Sequence, residues 1–149
     1  MKRTHENGTL RAANAGEKVT LIGWVAKRRN LGSLVFIDLR DRSGIVQVTF
    51  DETMAEKVKD VRNEYILQVT GTVQLRKDAN PKMATGEIEV EADDIEIFTT
   101  SQDLPFSIEE VRQKDGSLVI PNEDLRLKYR YLDLRRDPMQ HNIILRSQV

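Results

Sequence analysis

Between residues 18 and 98 apolar and polar positions alternate in short runs, with the two-residue period of half-buried strands. Val19, Leu21 and Val25 share one parity, with Gly23 between them, and predict a first strand over about 18–27. A second runs from Leu34 to Arg40, where Val35, Ile37 and Leu39 point one way and Phe36, Asp38 and Arg40 the other. The turn Asp41-Arg42-Ser43-Gly44 follows, with its glycine where a hairpin often needs positive φ. In the third strand, Ile45 to Phe50, Val46, Val48 and Phe50 oppose Ile45, Gln47 and Thr49. Met54, Val58 and Val61 stand at i, i+4 and i+7, which predicts a short helix over about 53–61 that Asp51 or Thr53 can cap. The fourth strand, about 65–75, carries Leu67, Val69, Val73 and Leu75 inward, and Gly71 marks a bulge or bend in it. Asn80-Pro81 and Gly86 are turn signals in a loop from Arg76 to Gly86. The fifth strand, about 87–98, points Ile88, Val90 and Ala92 inward, then shifts its apolar parity to Ile95 and Ile97 after Asp93-Asp94, which predicts a bulge. Three strands, a helix and two strands is the order of an all-β, five-stranded Greek-key barrel, the OB-fold. Five strands alone would also suit an SH3-like barrel, and the helix between strands three and four favours the OB order.

After residue 98 the two-residue period stops. Residues 99–121 hold Pro105, Pro121 and Gly116 without a clear period and read as a linker. A helix is expected from Asn122, with Glu123 and Asp124 in its first turn. It carries two apolar stripes, Leu125, Tyr129 and Leu132 on one and Leu127, Tyr131 and Leu134 on the other, so it is built to pack between two bodies. Asp137-Pro138 resembles an N-cap and first-turn pair opening another helix, which leaves Ile143, Ile144 and Leu145 without a partner at the end. The expectation is therefore a barrel over 1–98, a linker and hinge helix over 99–136, and over 137–149 the beginning of something longer.

Composition narrows the chemistry. Among 149 residues there is no cysteine, which excludes disulfides, thiol nucleophiles and cysteine-held metals, and fits a reducing, cytoplasmic setting. His5 and His141 are far apart, so no histidine-rich metal site is expected. No run approaches the roughly 18 apolar residues of a membrane helix, and no apolar stretch follows Met-Lys-Arg-Thr-His-Glu to make a secretory signal. No GxxxxGK[ST], HExxH or GxSxG motif is present. The net charge of −1 conceals an asymmetry: residues 1–50 carry nine Lys and Arg against four acids. A basic first third suits an anionic partner, and equally a solvated charged surface.

The candidate chemistry lies on the polar parity of strands two and three. Phe36 falls there beside Asp38 and Arg40, Gln47 falls on the same side of the next strand, and the first strand ends in Lys27-Arg28-Arg29. OB-folds meet nucleic acid on the face of strands two and three and in the loops after strands one and four. Exposed aromatics stack bases, amides offer a donor and an acceptor to a base edge, and cations hold phosphates. The pattern alone leaves a nucleic-acid binder and a protein-interaction module both open. The run Glu87, Glu89, Glu91 reads as a solvated face, and Trp24 as packing beneath the N-terminal segment.

Arg3-Thr4-His5 with Gly8 and Leu10, then VTLIGWVAKRRNLGSLVFIDLRDRSGIVQVTF (19–50), VTGTV (69–73), MATGEIEV (83–90) and LRLKYRYLDLRR (125–136), closely resemble the N-terminal part of bacterial-type aspartyl-tRNA synthetases of class IIb. The resemblance covers most of the chain, and its last motif is highly specific. It implies that the barrel binds the anticodon loop of aspartate tRNA, a G-U-C triplet read as three splayed bases. By position, Phe36 resembles the residue that stacks on the central uridine and Gln47 the one that reads its edge. Arg29 with Arg28 resembles the cationic edge, and Glu89 the carboxylate on the first base. Arg76 and Asn80 fall in the loop between strands four and five. The resemblance further implies a homodimeric parent enzyme that uses ATP and Mg²⁺, whose catalytic motifs lie beyond residue 149, so that this part binds and uses no cofactor of its own. A generic single-strand binder would tolerate any sequence, and a protein-interaction module would show no RNA affinity.

Overall fold

A computed structural model describes residues 2–108 and 111–149, with the side chain of Val111 left aside. Five strands make a closed barrel: β1 (Lys18–Leu31), β2 (Leu34–Asp41), β3 (Gly44–Phe50), β4 (Ile66–Leu75) and β5 (Ile88–Thr99), in the order β1-β2-β3-β5-β4. All pairings are antiparallel except that of β3 with β5, where Val48 faces Val90 and Thr49 faces Glu91. With α1 (Glu52–Ala55) between β3 and β4, this is the OB-fold that the alternation predicts. The inward sets are buried as expected: Val19, Leu21 and Val25; Val35, Ile37 and Leu39; Val46, Val48 and Phe50; Leu67, Val69 and Val73; Ile88, Val90 and Ala92. Leu10 of the N-terminal segment joins the same core.

Two expected inward residues are not there. Leu75, the last residue of β4, is 60% exposed, and Ile97, two residues from the end of β5, is 43% exposed. Asp93 is skipped where Thr70 faces Asp94 and Gly71 faces Ala92, which is the bulge expected from the parity shift. Gly71 lies opposite it, and any Cβ there would collide with the Glu91 carbonyl. Gly44, at the β2–β3 turn, has φ +145° as the turn requires.

The predicted helix over 53–61 is shorter. α1 ends at Ala55 and a 3₁₀ turn, Glu56–Val58, continues it. Tightening the turn still leaves Met54, Val58 and Val61 in the core, so burial did not demand the longer helix. Asp51 caps it, accepting from Met54 N–H at 3.0 Å. The Thr53 hydroxyl and that N–H hold the Asp51 carboxyl below its usual range.

β1 is the element that departs most from its pattern. It runs to Leu31 rather than ending near residue 27, and it carries a bulge at Ala26. Trp24 faces Arg40 and Val25 faces Leu39, but Lys27 faces Asp38 and Arg29 faces Phe36. Val25 is tied elsewhere: its N–H donates to the Tyr65 carbonyl at 2.9 Å and its carbonyl accepts from Glu64 N–H at 2.7 Å. The same Glu64 carboxylate receives Arg40 at 2.8 and 2.9 Å. The extra residue reverses the parity of β1, so Lys27 and Arg29 join Asp38 and Phe36 on the outer face.

The chain divides into two compact units, one through Gln102 and the other from Asp103. In the second, the stretch read as a plain linker contains a hairpin of β6 (Val111–Arg112) and β7 (Leu118–Val119), turning at Asp115-Gly116; residues 109 and 110 lie outside the described residues. Strands of two residues have no period to detect. The expected helix from Asn122 breaks in two, α2 (Glu123–Lys128) and α3 (Arg130–Asp133), at Tyr129 with ψ +51°. Asn122 caps α2 through Asp124 N–H at 2.8 Å. α4 (Asp137–Gln148) opens one residue before the expected position, with Arg136 as its N-cap and Asp137 already helical, and Ile143, Ile144 and Leu145 are exposed on it.

Buried Asp133 ties α2 and α3 to the start of α4, accepting from Arg126 Nε at 2.8 Å and from Arg136 Nη1 at 3.2 Å. The Arg126 bond, and after it that of Arg136, holds its carboxyl below the usual range against the opposing pull of burial. A carboxyl depressed on folding adds stability above its unfolded value of about 3.9, and that stability is lost as pH falls through the lower folded value. Amide protection over 123–136, taken relative to intrinsic exchange at each pH, should therefore hold at about pH 5 and fall in acid below about pH 4. Asp133→Asn should be less protected at neutral pH and show no such acid step.

Candidate nucleic-acid interface

The reversed parity of β1 sets three strands side by side on one outer face. Lys27, Asp38 and Gln47 make one cross-strand row, and Arg29, Phe36 and Thr49 the next. β4 and β5 add Gln74 opposite Glu89. Arg29, Phe36, Gln47, Thr49, Gln74 and Glu89 of these line an open groove of about 450 Å³. Of the residues singled out by sequence, the structure brings Arg29, Phe36, Gln47, Arg76 and Glu89 into its lining. Arg28 and Asn80 are not brought there. Arg28 faces Ile37, on the side of β1 opposite Arg29. Asn80 folds into its own loop, where its N–H donates to the Gly86 carbonyl at 2.8 Å and its Oδ1 accepts from Lys82 N–H at 3.0 Å.

The groove floor is one hydrogen-bonded chain. Arg29 Nη2 donates to Asp38 Oδ1 at 3.2 Å and to Gln47 Oε1 at 2.9 Å. Gln47 Nε2 donates to Glu89 Oε2 at 2.9 Å. Gln47 is only 5% exposed, so its amide is a buried polar group held from both sides. The Arg29 guanidinium lies 6.0 Å from the centre of the Phe36 ring, within cation–π range. Phe36 is half-buried on the outer face, away from the core that holds Ile37 and Val35. Arg29 Nε and Arg76 Nη1 are buried and, among the described residues, have no hydrogen-bond acceptor.

Sequence reasoning missed much of the rim. Leu31 and Leu34, at the tip of the β1–β2 hairpin, are exposed beside the groove. Thr49 shares the parity of Gln47, and Gln74 donates to Glu91 across β4 and β5. Lys77 lines the groove as well. Parity alone could have found Thr49, while the others depend on where the β1–β2 tip and the loop after β4 come to rest. The glutamate run is not one solvated face: Glu87 and Glu91 are exposed, and Glu89 is drawn in by Gln47. Trp24 stands apart, half-buried at a smaller hollow of about 220 Å³ with Arg3 of the N-terminal segment, Ile22 and Ile66.

Replacing Gln47 by leucine keeps the volume and removes both bonds. Arg29 and Glu89 then lose a partner in a poorly hydrated place, and unfolding in urea should show a loss of about 1–3 kcal/mol. An unchanged midpoint would mean that the amide bridge does not contribute to the folded state.

Residues 19–98 match the tRNA anti-codon family, described as an OB-fold nucleic acid binding domain. The whole chain is 52% identical to 25% of the aspartate–tRNA ligase of Ruminiclostridium cellulolyticum. Over 99% of its length it is 49% identical to 24% of the aspartate–tRNA(Asp/Asn) ligase of Bifidobacterium longum. It thus spans about a quarter of the length of these curated relatives. The crystal structure of asparaginyl-tRNA synthetase from Pyrococcus horikoshii superimposes with a TM-score of 0.69 at 25% identity, over 88% of this chain and 29% of that one. The barrel, its outer groove and the match over more than half its length give one conclusion: the chain belongs to the tRNA anti-codon family of OB-fold nucleic acid binding domains.

Proposed function

We propose that this chain binds the anticodon loop of aspartate tRNA, as the N-terminal part of an aspartate–tRNA ligase that attaches aspartate to tRNA with ATP. The observation that carries the reading is the groove itself, where an aromatic, two arginines, an amide and a carboxylate line one open surface. Their chemistry suits unpaired bases: Phe36 supplies a stacking platform, Gln47 an edge with donor and acceptor, and Glu89 an acceptor for the N–H groups of guanine. Arg29 and Arg76, with Lys77 on the rim, suit the phosphates between them. Arg28 and Asn80 do not line the groove and are given no contact in this reading. The names of the relatives, which are aspartate–tRNA ligases over the aligned quarter, support the same partner.

On this reading residues 99–136 are the hinge from barrel to catalytic domain, and 137–149 the start of that domain. The parent enzyme is a cytoplasmic homodimer. On the same reading, the ATP and Mg²⁺ that the enzyme uses are bound by its catalytic domain. Among the described residues, no helix is long and apolar enough to cross a membrane. The part of the activity that belongs here is positioning. Each base held in the groove fixes the loop's orientation, and the energy is spent on choosing one tRNA.

The test is titration of the chain with stem-loops carrying G-U-C, G-U-U and an unrelated triplet. Tightest binding of G-U-C supports the proposal, equal binding of all three favours a generic single-strand binder, and no binding favours a protein-interaction module. Phe36→Ala should lose about 1–3 kcal/mol of affinity for the G-U-C loop through lost stacking, with little change in the urea midpoint. A collapse of stability with unchanged affinity per folded molecule would assign Phe36 to packing.

A further inference from the structure

Asp38 occupies the centre of the outer face, with Lys27 opposite it on β1 and Gln47 opposite it on β3. Its side chain is 19% exposed and does not line the groove. Its carboxylate instead receives Arg29, which reaches diagonally back from its place opposite Phe36. The same Nη2 nitrogen gives its other hydrogen to Gln47 Oε1. Arginine has no acceptor and an ionised glutamate has no donor. Between Arg29 and Glu89, the Gln47 amide therefore has one satisfied orientation, oxygen toward the guanidinium and nitrogen toward the carboxylate. Turned over, it would set N–H against N–H and oxygen against oxygen. Its second lone pair and second hydrogen are thus offered in a fixed sense. That sense matters to a pyrimidine, because uracil presents a carbonyl acceptor at the position where cytosine presents an amino donor.

We infer that Asp38 is a positioning residue for base readout: by holding Arg29 against Gln47, it fixes the polarity that the Gln47 amide offers and sharpens the choice of uridine over cytidine at the middle of the triplet. Asp38 acts through Arg29 and Gln47 without touching the base. The inference rests on the anticodon reading above, and its experiment separates the two.

The chain, with Asp38→Ala and Asp38→Asn, is titrated with stem-loops carrying G-U-C and G-C-C. Asp38→Ala should cut the preference for uridine by on the order of tenfold, the worth of one base-edge contact. Asp38→Asn keeps an acceptor toward Arg29 and should retain most of the preference. Equal weakening for both loops, an unchanged ratio, or no rescue by asparagine would each overturn the inference. The lock is also read without RNA. The two side-chain amide protons of Gln47 should be displaced from the pair of positions of an unstructured glutamine and exchange slowly with water in the free chain, and should collapse toward that pair and exchange faster in Asp38→Ala. If no loop binds but this collapse occurs, the anticodon reading fails and the lock stands. A Gln47 signal indifferent to Asp38→Ala overturns the inference whatever the RNA does.

Discussion

The bulge at Ala26 is the constraint on which the site depends. A strand that kept strict alternation from Val19 would send residues 27 and 29 to the side of Val25, and two cations would face the core. One extra residue prevents this. Val25 stays inside with both backbone groups bonded to the 64–65 segment, and Lys27 and Arg29 emerge beside Asp38 and Phe36. The bulge also marks where β1 changes neighbours, since it pairs with β4 as far as Trp24 and with β2 from Trp24 to Leu31. Closing the barrel and aiming Arg29 are thus the work of one local irregularity.

What the bulge assembles is a groove whose polar groups restrain one another. Arg29 touches an aromatic face, a carboxylate and an amide, and the amide touches a second carboxylate. Such a network, buried at its centre, costs free energy if one member is left without a partner, and it holds every member in place when all are paired. Rigid donors and acceptors suit selection among bases, because a wrong base leaves fixed groups unpaired. Strong attraction for any polyanion is not the design here: Asp51, Asp78, Glu89 and Glu91 share the groove lining with Arg29, Arg76 and Lys77. A surface of mixed sign is a poor general phosphate binder and a better discriminator.

Much of this was legible in the sequence. Alternation located all five strands, and Phe36 stood out because a phenylalanine sat on the polar parity between Ile37 and Val35. The bulge in β5 could be read because its apolar residues change parity at Asp93-Asp94. The bulge in β1 could not. Past Ala26 the chain turns to Lys-Arg-Arg-Asn, which has no apolar residue to betray a parity, and the contacts that impose the bulge come from Glu64 and Tyr65, far along the chain. For the same reason Lys27, Arg28 and Arg29 read as a single cationic end, although Arg28 lies on the other side of the strand. The β6–β7 hairpin and the break at Tyr129 were hidden because two-residue strands and one altered ψ leave no periodic trace.

The most direct measurement is a footprint. Backbone and arginine side-chain resonances of the chain are followed as a G-U-C stem-loop is added. The account predicts shifts gathered on the outer face at Lys27, Arg29, Phe36, Gln47, Arg76 and Glu89, with Ile22, Trp24 and Ile66 unmoved. Shifts centred on the hollow beside Trp24, or spread over the second unit with the groove silent, would contradict it.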